Sequence, residues 1–154
     1  MLTAVTGINW GDEGKGRVVD LLAEKADVVV RYQGGSNAGH TVVTDQGTFV
    51  LNLLPSGILH PKVVCVLGDG MVVDLEHLSK EIEGIRKKGV SVTPDNLKLS
   101  ARATISMPWH QIQDELEEDQ LSQSGAAFGS TRRGIAYAYS DKFRKKTLRL
   151  GDLL

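Results

Sequence analysis

Leu2-Thr3-Ala4-Val5-Thr6-Gly7-Ile8-Asn9-Trp10-Gly11-Asp12-Glu13-Gly14-Lys15-Gly16-Arg17-Val18-Val19-Asp20-Leu21-Leu22 is an apolar run, then a glycine-rich turn, then apolar residues at helical spacing. That order predicts a strand over residues 2–6, a loop, and a helix beginning near Lys15. A glycine-rich loop at a helix N-terminus is a phosphate cradle: successive backbone N–H groups turn toward one anion, and Lys15 adds a point charge. The segment departs from a regular Walker A loop, which carries a glycine where Asn9 stands and Ser or Thr where Gly16 stands. Asp12-Glu13 is the unusual part, because carboxylates repel phosphate. Two readings stay open from spacing alone. One carboxylate holds a metal ion or takes a proton from substrate, or both are solvated turn residues with Asp12 capping the helix.

Asp27 to Val30 is a second apolar run and leads into Arg31-Tyr32-Gln33-Gly34-Gly35-Ser36-Asn37-Ala38-Gly39-His40-Thr41, another polar, glycine-rich loop. Residues 2–6 and 27–31 are expected as central strands around the first helix, a right-handed parallel unit. Residues 41–43 and 48–53 flank Asp45-Gln46-Gly47 and read as a hairpin. Residues 63–67 read as a buried strand ending in a turn at Gly68-Asp69-Gly70. Residues 74–88 read as a helix capped by Asp74, with Leu75, Leu78, Ile82 and Ile85 as its core stripe. Residues 96–100 are a strand candidate and residues 109–121 an acidic helix, with residues 115–119 as its solvated face. Residues 122–129 read as a loop. The fold class is therefore α/β: a mainly parallel central sheet with a P-loop-like phosphate-binding turn, plus a β-hairpin and a helical segment.

The chain has 154 residues, enough for one domain with a real core. Hydrophobic content of 41% and charged content of 24% are those of a globular protein, and the 5% aromatic share leaves the core to Val, Leu and Ile. A net charge of -1 argues against nucleic-acid or anionic-membrane binding. The single Cys65 sits in an apolar stretch, which reads as a buried, reduced thiol and excludes a disulfide framework. No apolar run approaches the ~18 residues of a membrane span, and no secretory signal is evident, so a cytoplasmic protein is expected.

Together, Trp10 to Gly16, Arg31 to Gly35 and Asn37 to Thr41 closely resemble the signatures of adenylosuccinate synthetase, the ligase of purine biosynthesis. Leu54-Pro55-Ser56-Gly57-Ile58-Leu59 matches as well, as do Arg133-Gly134-Ile135, Ala138-Tyr139 and Asp141-Lys142. The resemblance runs from residue 2 to Leu154. It implies GTP-dependent joining of IMP and L-aspartate with magnesium, in a cytoplasmic homodimer. By resemblance Asp12 is the base at purine N1 and a magnesium ligand, with the Gly39 carbonyl completing the metal shell. His40 is the acid at the transferring group, and Lys15 neutralises phosphate oxygens. Gly11, Asp12, Glu13, Gly14, Lys15, Gly16 and Arg17, with Gly39, His40 and Thr41, line the GTP phosphates. Asn37, Ala38 and Thr131 contact IMP, and the family's cross-subunit arginine column falls on Lys145, or on Arg144 after a one-residue slip. Without the resemblance, His40 reads more readily as an exposed loop histidine, since an isolated histidine carries little signal. A related phage enzyme acts on a 2-amino purine nucleotide and lacks the aspartate, so Asp12 implies the IMP branch.

The last quarter departs from the family pattern. Arg132 replaces a glycine, Ala136-Tyr137 replace Gly-Pro, and lysine cannot reproduce a bidentate arginine fork. Arg132-Arg133 is expected to bind phosphate, following Thr131 in a glycine-containing loop. Trp10 and Tyr32 are expected to pack behind the two loops. Family members are longer, so residues 1–154 are expected to be one domain, the amino-terminal part of such a ligase, with little activity alone. A stand-alone nucleotide- or phosphate-binding module and an inactive, truncated paralogue are the alternatives. Retained Asp12, Lys15, Asn37 and His40 argue against the last, since a scaffold needs none of them.

Overall fold

A computed structural model describes residues 1–8, 14–45 and 47–154. The expectations for Trp10, Gly11, Asp12, Glu13 and Gln46 lie outside the described residues. The axis of the sheet is β4 (Val64–Val73), whose two apolar stretches suit a strand covered on both faces. Parallel to it run β1 (Val28–Gly34), β5 (Leu97–Leu99) and β6 (Thr104–Ile105). The parallel central sheet is therefore as expected.

Two expectations about this sheet are corrected. Gly68-Asp69-Gly70 is not a turn, because β4 runs straight through it. Arg31 faces Leu67 and Gln33 faces Gly70, so β4 spends one extra residue here as a bulge. A Cβ on Gly70 would lie 2.1 Å from the Tyr32 carbonyl oxygen, so only glycine lets the strands stay paired. Nor do residues 2–6 form a strand. Residues 1–8 carry neither helix nor strand, with Leu2 96% and Ile8 91% exposed. A strand needs a hydrogen-bonded neighbour, and no described strand pairs with this run.

The helix after the first loop, α1 (Lys15–Ala23), buries Ala23 alone and leaves Val18, Leu21 and Leu22 exposed. β2 (His40–Thr44) and β3 (Gly47–Leu51) form the expected antiparallel hairpin, and His40 belongs to its first strand, opposite Leu51. The expected capped helix is α2 (Leu75–Lys87), with the Asp74 carboxylate accepting from the His77 amide at 2.9 Å. Leu78 and Ile85 of its stripe enter the core, and Leu75 and Ile82 pack beside it. That core joins α2 to Phe49, Leu51, Leu53, Leu54, Ile58, Cys65, Leu67, Met71 and Val73. Each fully buried aliphatic side chain contributes about 1.5–3 kcal/mol. Burial pushes the Cys65 thiol up to about 12, which keeps it protonated and inert.

The acidic helix is α3 (Pro108–Gln123), longer than expected at both ends, and it packs against α4 (Ile135–Phe143). Its presumed solvated face is only partly so. Glu118 within it is buried, as are Asp114 and His110 on the two preceding turns, because each meets a partner from the following loop or from α4. His110 Nδ1 accepts from the Met107 amide, which places the ring proton on Nε2 toward the Asp141 carboxylate at 3.3 Å. Among the described residues no helix is long and apolar enough to cross a membrane.

Candidate functional site

Gly14 caps α1 in the left-handed region, φ 76°, with no side-chain cap, and the Arg17 amide donates to its carbonyl at 3.1 Å. This leaves the first turn of α1 without a side-chain cap, with Lys15 half-buried beside it. Gly16 decides what meets that turn. A Cβ there would lie 2.9 Å from His40 Cβ and Cγ, so glycine is what allows the imidazole to rest on the helix start. The two glycine-rich segments thus meet, through residues far apart in the chain.

His40 is half-buried, and its Nε2 has no hydrogen-bond partner among the described residues. A buried, unpaired ring nitrogen is costly unless a ligand satisfies it. Burial holds the His40 pKa below its ordinary value and the Arg31 charge adds to this, against weaker pulls from Asp20 and Glu81. The resting ring is therefore neutral, and an anion placed against it would favour the protonated form.

The second loop is held from beneath by cationic and amide donors. The Arg31 guanidinium donates to the Asn52 carbonyl and, at 2.9 Å, to the Gly35 carbonyl. Asn52 Nδ2 donates to the Ala38 carbonyl at 3.2 Å and would lie 2.5 Å from a Cβ on Gly39. The buried Glu81 carboxylate accepts from the amides of Asn52, Leu53 and Leu54 at 2.8–3.2 Å and so fixes the strand end that carries Asn52. Burial lowers the Arg31 pKa, and the Glu81 charge opposes that. Asn37, Ala38, Gly39 and Thr41 remain exposed at the rim.

α4 brings in the third segment. A Cβ on Gly35 would meet Ile135 Cδ1 at 2.5 Å, so the second loop sits on the first residue of α4. The Tyr139 hydroxyl accepts from the Gly34 amide at 2.7 Å and donates to the Gly70 carbonyl at 2.8 Å, tying α4 to β1 and β4. Thr131 lies exposed in the loop that leads into α4. Lys145 does not join this cluster. It follows the far end of α4, a helix of nine residues and so about 13 Å long, in a left-handed conformation with φ 59°.

Arg132 is corrected from the phosphate-binding expectation. Its guanidinium pairs with Asp119 at 2.7 Å, and its φ of 55° shows that the chain keeps a glycine-type conformation despite the side chain. Tyr32 is also corrected, being half exposed on β1 rather than packed behind the loop. Glu81, Asn52, Tyr139, Asp114 and Glu118 were not singled out as site residues. The spacing of His110, Asp114 and Glu118, every fourth residue on one helix face, was the available signal for the last two.

Known proteins with these features are consistent. The family model described as adenylosuccinate synthetase matches residues 4–154. The chain is 53% identical over 148 residues to adenylosuccinate synthetase of Carboxydothermus hydrogenoformans, covering 96% of this chain and 34% of that protein. It is 50% identical over 150 residues to that of Syntrophomonas wolfei, covering 97% and 34%. Fully ligated adenylosuccinate synthetase from Plasmodium falciparum superposes with a TM-score of 0.82 at 41% identity, over 92% of this chain and 32% of that one. A cyanophage S-2L succinoaminodeoxyadenylate synthetase, bound to dGMP and dATP, gives 0.69 at 30% identity, over 94% and 39%. The chain thus spans about a third of the length of the curated relatives it matches.

Proposed function

Because the chain belongs to the adenylosuccinate synthetase family, we propose that it is the amino-terminal part of a cytoplasmic, homodimeric ligase joining IMP and L-aspartate at the expense of GTP. The purine O6 is a poor leaving group. In this reading Asp12 takes the proton from N1, O6 attacks the γ-phosphorus of GTP, and the bond to the bridging oxygen breaks to release GDP. The aspartate amine then attacks C6, and phosphate departs with the C6–O6 bond. His40 faces the transferring group with Nε2, while Lys15 and the first turn of α1 meet the phosphates. Gly11 to Arg17 and Gly39 to Thr41 line the GTP phosphates, and Asn37, Ala38 and Thr131 hold IMP. Lys145, at the far end of α4, acts on the partner protomer's IMP. Magnesium, when bound, neutralises phosphate charge; the Asp12 carboxylate and Gly39 carbonyl are hard oxygen donors of the kind it takes.

The observation that carries this reading is the seat of His40 on Gly16, with Nε2 lacking a partner among the described residues. The test is adenylosuccinate formation from IMP, GTP and aspartate by the protein as its gene encodes it. Product is expected, with loss in His40→Ala and Asp12→Asn. The 154-residue chain alone is expected to be nearly inactive, since it spans a third of its relatives. A fully encoded protein that binds GTP without making product would favour the second reading, a nucleotide-binding module.

A further inference from the structure

Loop 129–134 is anchored by carboxylates, an unexpected choice beside a segment assigned to an anionic substrate. Glu118 Oε1 accepts from the Gly129 amide at 2.7 Å, and Asp114 Oδ2 from the Gly134 amide at 2.8 Å. Asp114 Oδ1 accepts from the Ser130 hydroxyl at 2.5 Å, and that hydroxyl oxygen accepts from the Arg132 amide at 3.1 Å. Both carboxylates are more than nine-tenths buried. Both anchored glycines have positive φ, 80° and 67°, and a Cβ on Gly134 would lie 2.4 Å from the His110 carbonyl carbon. With Arg132 turned toward Asp119, the amides and side chains of Thr131 and Arg133 are left without a hydrogen-bond or ion-pair partner among the described residues.

We propose that Asp114 and Glu118 are positioning residues for the IMP phosphate. They consume the amide donors at the two ends of loop 129–134, so the loop offers that anion only Thr131 and Arg133. Resting on the ligase reading above, this assigns a role to two buried acids that touch no substrate. Each carboxylate is turned toward its own donors, Asp114 toward Gly134 and Ser130 and Glu118 toward Gly129, and their N–H and O–H dipoles offset part of its charge at the loop. The two acids lie on α3, whose His110 is tied to Asp141 of α4, so the loop hangs between two packed helices.

The test is steady-state kinetics of the protein as its gene encodes it, with Asp114→Asn, Glu118→Gln and Ser130→Ala. An asparagine still accepts from Gly134, but its amide group cannot accept from Ser130. Asp114→Asn is expected to raise KM for IMP about tenfold, and Glu118→Gln or Ser130→Ala about threefold, with kcat and KM for GTP within about twofold of wild type. IMP is expected to shift the backbone resonances of Thr131 and Arg133 while leaving those of Gly129 and Gly134 in place. An unchanged KM for IMP in active variants would overturn the inference, as would a parallel rise in KM for GTP, the mark of a general distortion of the site. If Asp114→Asn fails to fold, Glu118→Gln, which weakens a single amide contact, decides on the same readouts. Failure of the ligase reading looks different: the wild-type protein itself makes no product.

Discussion

Loops 35–39 and 129–134 are both glycine-containing and polar, yet they are held by opposite chemistry. Arg31 and Asn52 grip the carbonyls of the first, at Gly35 and Ala38. Asp114 and Glu118 grip the amides of the second, at Gly134 and Gly129. A loop whose carbonyls are tied down keeps its N–H groups for an anion. One whose amides are tied down must rely on the few left over. Composition alone does not reveal which regime applies, because each is set by a helix or strand distant in sequence.

Breaking the second loop's anchor should have the largest effect. Gly134→Ala combines positive φ with backbone contacts of 2.4–2.7 Å at His110 and Gln111, and is expected to cost about 3 kcal/mol or more by urea unfolding. On the first loop, Arg31→Met removes the donor to two carbonyls and uncovers the buried Glu81. A loss of about 2 kcal/mol is expected, with Arg31→Lys recovering part of it in the same measurement. A calorimetric melt of Lys145→Gly tests the end of α4, away from both loops. Glycine relieves the left-handed conformation at φ 59°, so a gain of about 1 kcal/mol is expected. A lower Tm would mean the lysine side chain makes a contact that outweighs its strain.

The smallest effect is a pH dependence that separates the loops. His40, in the strand that leaves the first loop, has a pKa below its ordinary 6.5, so the unfolded chain binds more protons than the folded one. Its contribution is fully present above the unfolded value and is lost as pH falls from there through the folded one. The urea midpoint should drop on mild acidification, and less so in His40→Gln. Equal slopes would show that His40 is not the group responsible.

Helix α2 was legible in the sequence because its cap and apolar stripe are local: Asp74, Leu75, Leu78, Ile82 and Ile85 lie within a few turns. The hairpin was legible for the same reason, and glycine patterning marked out Gly16 and His40, the two residues that meet. Residues 2–6 show the limit. They are as strand-like as residues 64–67, yet only the latter have paired neighbours. The continuation of β4 through Gly68-Asp69-Gly70 was equally hidden, since two glycines and an aspartate spell a turn unless an adjacent strand demands close approach.

By itself the sequence determined the α/β class, the two glycine-rich polar segments, the core stripe of α2 and the inert Cys65, all of which depend on short-range spacing or composition. Tertiary structure decided that Gly16 is the seat of His40, that Arg31 and Glu81 support the second loop, and that Arg132 turns to Asp119. It also made buried anchors of Glu118, on an apparently solvated acidic face, and of Asp114 one turn before it. These outcomes turn on partners as many as 29 residues away, and a buried charge is acceptable only where such a partner arrives. Sequence lists the groups that need partners; the fold decides which ones meet.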